Sequence, residues 1–301
     1  MTPPEGAAKG FARPVRRTRT PDVQYQTTLR DEIAFEGVGL HTGLPGRVRV
    51  RPAPAGHGLR FRLDDAVEFP ALAEYVVETV RATVVGLGEH RVSTVEHLLS
   101  ALLGLGIDNA LIAVDGPEIP VADGSARVFC DAIEAVGSAT LPAARIRWIP
   151  TETRVFRDGD KVLIVAPAST FRVRMTIDFA APIGTQYAEV EIAPAAYRSE
   201  VAPNRTFAFL HEVEALLQRG LAQGGTLDNA VVFAPGGPLE PLRSPTEPVR
   251  HKILDLVGDF ALLGAYPQCE VIAIKSGHKL HCTAVRELRP ASSETTAAAT
   301  S

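Results

Sequence analysis

Apolar and polar residues alternate along the first part of the chain, between residues 24 and 61. In the segment 47–51, arginines alternate with Val48 and Val50, a period of two that is typical of a strand with one buried face. Further on, Ser93 and Glu96 have capping-box spacing, and leucines continue at helical intervals to residue 105. This predicts a helix that begins near Thr94, followed by a strand over 110–114 and a second helix over 126–135.

A similar order of elements follows in the second part of the chain. The pattern predicts strands over 162–166 and 171–178, a helix over 205–220, a strand over 229–233, a helix over 249–263 and a strand over 270–274. We therefore predict two α+β domains of similar size, at residues 23–143 and 144–289, which join near residues 140–150.

Length, composition and charge limit the classes of protein to which this chain can belong. The chain has 301 residues, 46% of them hydrophobic, so it can bury a substantial core, and its apolar runs are too short to cross a bilayer. A net charge of −4 argues against nucleic acid as the main partner. Three cysteines without CxxC spacing indicate neither disulfides nor a thiolate zinc site and favour the cytoplasm.

The two ends of the chain are predicted to be disordered tails. Residues 1–22 carry prolines and five lysines and arginines, which can contact an anionic surface weakly. Residues 290–301 are mostly alanine, serine and threonine and offer almost no apolar bulk. We assign no chemical role to the second tail.

The predicted helix at 249–263 carries His251, Asp255 and Asp259 four residues apart, so their side chains stack along one stripe. Apolar residues occupy the rest of the helix surface and anchor it to a core. An imidazole and two carboxylates in a row can hold a metal ion. The alternative is that the stripe is a solvated polar face.

Glu96 and His97 lie in the first turn of the other predicted long helix. One interpretation is an acid favoured by the helix dipole beside a structural histidine. The other makes His97 a metal ligand and Glu96 the base that activates a water molecule. The segment lacks HExxH, so the remaining ligands must come from elsewhere, and His251 and Asp255 would complete two imidazoles and a carboxylate with one open position.

Two further groups complete this chemistry. Lys252 and Asp259 would flank the site, and the leaving amine needs a proton. His278 follows the apolar strand 270–274 and can project into a cleft as that proton donor, although a histidine after a strand can also be a plain loop residue.

These residues lie in segments that resemble the UDP-3-O-acyl-N-acetylglucosamine deacetylase family, the zinc amidases of lipid A biosynthesis. The resemblance extends from about Gln26 to Leu288. The matching segments are GVGLHTG at 37–43, STVEHLLSA at 93–101, GLGIDN at 104–109, PEIP at 117–120, DGSA at 123–126, RTF at 205–207, VRHKILD at 249–255 and KSGH at 275–278.

The resemblance implies a role for each site residue. The zinc ligands fall on His97, His251 and Asp255, the general base on Glu96, and the proton donor on His278. The residues implied to assist them are Asp259, which orients or tunes His278, and Lys252 and Thr206, which help to stabilise the oxyanion or contact the substrate carbonyl. The residues implied to bind the rest of the substrate are Lys275, Asp178 and Phe179 at the nucleotide, and Phe207, Phe209 and Leu40 around the sugar and acyl chain.

It also implies a fold and a reaction. Two similar domains, each a β-sheet with helices and an insert, would pack their helices between the sheets as a β-α-α-β sandwich, with the active site at the junction. The second insert, at 215–226 and 229–233, would form part of an apolar passage for the acyl chain. The reaction is hydrolysis of the N-acetyl group of UDP-3-O-acyl-N-acetylglucosamine by water, with one Zn²⁺ per chain, or Fe²⁺, in a cytoplasmic monomer that contacts the inner membrane transiently.

Two segments depart from the family pattern. Ala180 and Ala181 replace a polar pair near the nucleotide, and the proline-rich segment 234–241 is predicted to disfavour paired strands. Two alternatives therefore stay open. One is a metal-dependent deacetylase for another nucleotide sugar or acylated amine, and the other is a non-catalytic paralogue that binds a glycolipid or a partner.

Overall fold

The structure, a computed structural model, describes residues 24–289. The tails predicted at 1–22 and 290–301 lie outside this part of the chain. The elements of the first half are β1 Tyr25–Leu29, β2 Ile33–Val38, β3 Pro45–Pro52, β4 Leu59–Leu63, β5 Val67–Pro70, β6 Val76–Glu78, β7 Val84–Leu87, β8 His90–Val92, α1 Glu96–Gly104, β9 Ala110–Asp115, α2 Arg127–Val136 and β10 Ser138–Ala144.

The second half repeats much of this plan. Its elements are β11 Arg147–Trp148, β12 Arg154–Asp158, β13 Lys161–Pro167, β14 Arg172–Asp178, β15 Thr185–Glu191, α3 Pro194–Ala196, β16 Phe207–Phe209, α4 Leu210–Gln218, β17 Val231–Ala234, β18 Gly237–Pro238, α5 Glu247–Ala261, β19 Tyr266–Pro267, β20 Cys269–Ile274 and α6 His278–Leu288. A short 3₁₀ turn at Ala73–Tyr75 and a π-helical turn at Tyr197–Val201 connect elements in the two halves.

The two halves contain five-stranded sheets with the same strand order. The first sheet runs β2-β3-β9-β4-β5 and the second runs β12-β13-β20-β14-β15. In each, the central strand follows the long helix and is antiparallel to one neighbour and parallel to the other. Each half adds a small three-stranded sheet, β6-β7-β8 or β16-β17-β18. The prediction of two similar α+β halves is confirmed.

The long helices α1 and α5 lie in the middle of the molecule. All nine residues of α1 are buried, and in α5 only Arg250 and Lys252 are not. A helix that is buried on every side has sheet or helix against each face, as expected for the inner layer of a sandwich. Val48 and Val50 on β3 and Leu163 and Val165 on β13 point into the same continuous apolar core. The predicted sandwich, with helices between the sheets, is confirmed.

Several local predictions were wrong. Residues 207–209 form a strand before α4, because they pair with β17 in the small sheet. The proline-rich segment does pair, since Phe233 faces Pro238 and Ala234 faces Gly237. The capping box does not form, because the Glu96 side chain turns towards Thr83 and no side chain caps α1 within the described residues.

Helix α6 was missed, because Gly277 immediately precedes its first residue, His278, and the preceding strand ends nearby at Ile274. Within residues 24–289, no helix is both long enough and apolar enough to span a membrane.

Candidate active site

The contact between α1 and α5 at Gly258 brings the predicted polar residues together. A Cβ atom at this glycine would lie 2.1 Å from the carbonyl oxygen of Glu96, closer than non-bonded atoms pack. Only glycine therefore permits this approach of the two helices. Glu96 and His97 begin α1, and Asp255 and Asp259 lie on either side of Gly258 in α5. The contact between the helices therefore brings these two pairs of side chains together.

His97, His251 and Asp255 form the first of two buried clusters. The Oδ1 atom of Asp255 lies 3.3 Å from Nε2 of His251 and 3.8 Å from Nε2 of His97. Zinc binds such ligands at about 2.0–2.2 Å, so ligand atoms of a tetrahedral site lie roughly 3.3–3.6 Å apart. The observed separations match that spacing better than hydrogen bonds, so this trio fits a zinc-sized ion.

The protonation states in this cluster also suit a metal ion. Burial lowers the pKa of His97 to about 3 and also lowers the pKa of His251. Burial opposes ionisation of Asp255, but His251 and Lys252 outweigh it and hold the pKa of that carboxyl far below its ordinary value. His251 donates from Nδ1 to the carbonyl of Asn204 at 3.0 Å, which leaves Nε2 free of a proton. Two neutral imidazoles and a carboxylate are the forms that bind metals.

Glu96 lies beside this trio. Its Oε2 atom accepts a hydrogen bond from the backbone N–H of Thr83 at 3.0 Å, and Oε1 lies 3.7 Å from Nε2 of His278. Burial raises the pKa of Glu96 to about 7, although the charge of His278 opposes the shift. A carboxylate with a pKa near neutrality can accept a proton and give it up again, as a general base must.

Asp259, His278 and His281 form the second cluster, and they lie close enough together to be considered as metal ligands too. The Oδ2 atom of Asp259 lies 2.9 Å from Nδ1 of His278 and 2.8 Å from Nδ1 of His281. The Oδ1 atom accepts a hydrogen bond of 2.6 Å from the Thr83 hydroxyl. Burial would raise the pKa of Asp259, but His278 and the hydrogen bonds from both imidazoles lower it.

His278 carries a proton at neutral pH. Burial alone would lower its pKa, but the carboxylates of Asp259 and Glu96 outweigh burial and raise it to about 10. Its Nε2 atom lies 3.9 Å from Oδ2 of Asp255, so the protonated nitrogen points towards the first cluster. A charged imidazole fixed there by Asp259 can donate a proton to a leaving group.

The predicted residues of the carbonyl and sugar regions lie at one pocket or beside it. Thr206, Lys252 and Leu40 line this pocket together with Glu96, His278 and the three residues of the first cluster. The Lys252 ammonium lies 2.9 Å from Oδ2 of Asp255 and 5.4 Å from the centre of the Phe207 ring. Phe207 in turn contacts the ring of His251 edge to face.

The predicted nucleotide-binding residues continue from this aromatic contact towards the surface. Phe179 packs edge to face on Phe207 and against Phe209, and it remains 38% exposed. The Lys275 ammonium lies 2.8 Å from Asp178 and 3.0 Å from Asp160. An exposed ring beside a cation offers contacts for a base and a phosphate.

Sequence reasoning missed four residues of this region. Thr83 contacts Glu96 and Asp259, His281 is fully buried against Asp259, and His41 and Arg81 line the pocket. His281 follows His278 by three residues, a helical spacing that would have been informative had α6 been predicted. Thr83 immediately precedes β7 and gives no comparable signal in the sequence.

Comparisons with known proteins identify the family of this chain. The family model described as "LpxC: UDP-3-O-acyl N-acetylglycosamine deacetylase" matches residues 26–289. A UDP-3-O-acyl-N-acetylglucosamine deacetylase of Anaeromyxobacter sp. (strain Fw109-5) is 45% identical and covers 87% of this chain and 88% of its own. Proteins of the same name from Trichormus variabilis and Myxococcus xanthus are each 44% identical, covering 85% and 89% of this chain and 95% and 87% of their own. The chain belongs to the UDP-3-O-acyl-N-acetylglucosamine deacetylase family.

Proposed function

We propose that this protein removes acetate from the 2-amino group of UDP-3-O-acyl-N-acetylglucosamine in lipid A biosynthesis, with Glu96 as general base and His278 as general acid. One observation carries the assignment of roles. A carboxylate and a charged imidazole lie 3.7 Å apart beside a metal-binding trio, with pKa values displaced in the directions that a base and an acid require.

His97, His251 and Asp255 would hold the metal ion, for which zinc is the expected occupant and Fe²⁺ suits the same donors. When bound, the ion supplies Lewis acidity that polarises the acetamide carbonyl and makes water a better nucleophile. Side chains of the protein carry out the other steps.

Glu96 accepts a proton from the attacking water as the water oxygen bonds to the carbonyl carbon. Negative charge then develops on the former carbonyl oxygen, where the Lys252 ammonium and the Thr206 hydroxyl are available to stabilise it. The C–N bond breaks as Nε2 of His278 gives its proton to the nitrogen, which leaves as the sugar amine. Acetate is the second product, and the atoms balance without a further reactant.

The remaining predicted contacts place the substrate. Lys275, Asp178 and Phe179 would meet the nucleotide, and Phe207, Phe209 and Leu40 the sugar and acyl region. The loop at 222–226 supports an acyl-binding role, because Gln223 and Gly224 donate backbone hydrogen bonds to His41 and Leu40 and so join the second insert to the pocket wall. We further propose a monomer that contacts the inner membrane only transiently.

The first test is deacetylation of the UDP-3-O-acyl substrate before chelation, after chelation and after stoichiometric zinc is returned. We expect activity that disappears and returns. A protein that binds one zinc but leaves this substrate intact would refute the substrate assignment. Parallel assays use the substrate without its acyl chain and another acylated nucleotide sugar. They test the alternative suggested by Ala180 and Ala181, a deacetylase that acts on a different substrate.

A further inference from the structure

His281 is a fully buried histidine for which the proposed reaction has no role. It lies one helical turn after His278 in α6 and is 0% exposed. Its Nδ1 atom is 2.8 Å from Oδ2 of Asp259, and its Nε2 atom is 2.8 Å from the hydroxyl oxygen of Ser276. Both ring nitrogens therefore have partners, which fixes how the imidazole is oriented.

We propose that His281 is a positioning residue that holds the Asp259 carboxylate in the orientation required by His278. The proposal rests on the proposed role of His278 as general acid. His281 donates a hydrogen bond from Nδ1 to Asp259 and accepts one at Nε2 from the Ser276 hydroxyl, so it acts as a neutral imidazole with one defined tautomer.

A metal ion shared by Asp259, His278 and His281 explains the geometry less well. The two nitrogen-to-oxygen separations, 2.9 and 2.8 Å, are ordinary hydrogen-bond lengths. The cluster is also satisfied internally, because Asp259 accepts from Thr83 and both imidazoles, while Ser276 bonds the second nitrogen of His281. Hydrogen bonding accounts for each of these contacts.

The position of His278 explains why such support is needed. It is the first residue of α6, where the free N–H groups of a helix disfavour a positive charge. Asp259 offsets this cost only if Oδ2 faces Nδ1 of His278. Thr83 holds Oδ1 and His281 holds Oδ2, so the carboxylate is bonded at both oxygens and cannot turn without breaking a hydrogen bond.

Removing His281 should therefore affect the chemical step and little else. Asp259 would keep its charge but lose one of the donors that orient it, and Ser276 would lose its buried partner. Partners that orient a functional imidazole or carboxylate typically contribute about ten- to a hundredfold in activity. Substrate contacts and metal ligands would be unchanged.

The activity test compares His281→Leu with His281→Asn, with Ser276→Ala as a milder change. We expect the leucine variant to lower kcat about tenfold or more, with KM and bound zinc unchanged. Asparagine places an amide N–H where Nδ1 was, so it should restore most of the lost turnover. Ser276→Ala should give a smaller loss than leucine. His57→Leu, in the loop between β3 and β4, is the matched control outside the site and should leave kcat unchanged.

Equal losses in the leucine and asparagine variants, or loss of zinc in either, would overturn the positioning role. Thermal unfolding of each variant identifies simple destabilisation. If His281→Leu does not fold, the asparagine and Ser276→Ala variants still test the prediction.

A second measurement needs neither substrate nor turnover. In protein labelled with ¹⁵N-histidine, we expect His281 to be neutral with its proton on Nδ1. A proton on Nε2, or on both nitrogens, would refute the proposal. Wild-type protein that gives the expected spectrum but does not deacetylate the UDP-3-O-acyl substrate would instead refute the proposed function and leave this hydrogen-bond network standing.

Discussion

Two buried clusters meet where α1 contacts α5, and each consists of two histidines and an aspartate. In the cluster of His97, His251 and Asp255, nitrogen and oxygen lie 3.3 and 3.8 Å apart. In the cluster of Asp259, His278 and His281, they lie 2.9 and 2.8 Å apart. The first leaves room for an ion between its ligands, and the second is closed by hydrogen bonds. Residue type alone does not distinguish a metal site from a proton-handling network.

The charges of the clusters differ for a related reason. In the first, burial dominates and lowers the pKa of both histidines, which favours the neutral ligand form. In the second, Asp259 and Glu96 both act on His278, and together they overcome burial and raise its pKa to about 10. The number of carboxylates around an imidazole thus decides whether the imidazole is neutral or charged.

The largest effect should come from breaking the first cluster. We expect His251→Ala to abolish stoichiometric zinc binding and to lower turnover by more than the roughly 10²–10⁴-fold that one acid–base residue contributes. Metal analysis of dialysed protein together with the rate of acetate release checks this. Full zinc occupancy in this variant would mean that the trio is not the metal site.

Glu96→Gln should separate the base from the ligands beside it. The substitution keeps the shape of the side chain but removes its ability to accept a proton, so we expect turnover to fall about 10²–10⁴-fold. Zinc content should match that of the wild type. A variant that loses zinc in parallel with activity would show that Glu96 belongs to the metal-binding cluster.

The pH dependence of turnover should test the role of the second cluster. The proposed mechanism requires ionised Glu96 and protonated His278, so turnover should rise with pH through the pKa of Glu96, about 7, and fall through that of His278, about 10. A bound cation lowers both pKa values. The rising and falling limbs of the pH profile of the zinc-loaded enzyme should therefore lie at or below these values.

Asp259→Asn should move one limb of that profile. Because the Asp259 carboxylate raises the pKa of His278, its loss should shift the basic limb to lower pH and leave the acidic limb nearly in place. We expect turnover to fall about ten- to a hundredfold. Profiles of kcat for both proteins check this, and an unchanged basic limb would contradict the pairing.

The smallest effect should come from a residue outside both clusters. Lys275 bonds Asp160 and Asp178 on the surface, so a phosphate contact would partly replace these bonds. We expect Lys275→Met to raise KM several-fold, because it removes an exposed charged contact with the substrate, with kcat unchanged. A fall in kcat at constant KM would place Lys275 in the reaction itself.

Much of this arrangement follows from local patterns in the sequence. The period of two in β3 and the helical spacing in α1 and α5 predict the sheet faces and the two central helices. The four-residue spacing of His251, Asp255 and Asp259 predicts that they share a stripe. The spacing does not say whether this stripe is solvated or buried. Tertiary packing decides it, because the neighbouring helix buries the stripe.

The parts that were missed depend on distant partners. The strand at 207–209 exists because β17 lies beside it, which no local propensity encodes. Thr83 belongs to the site through its hydrogen bonds with Glu96 and with Asp259, and Asp259 is 176 residues away in the sequence. His281 is linked to the site by its hydrogen bond to the same carboxylate. Such residues can be identified only once the packing of the two halves is known.

The proposed metal ligands of the first cluster are divided between the halves of the chain, since α1 supplies His97 and α5 supplies His251 and Asp255. Metal affinity is therefore thermodynamically linked to the docking of one half on the other. A substitution at Gly258 that separates the helices should weaken zinc binding although every ligand remains. Conversely, zinc should raise the free energy of unfolding by its binding to the docked form, so that a titration of the ion also reports on the assembly of the fold.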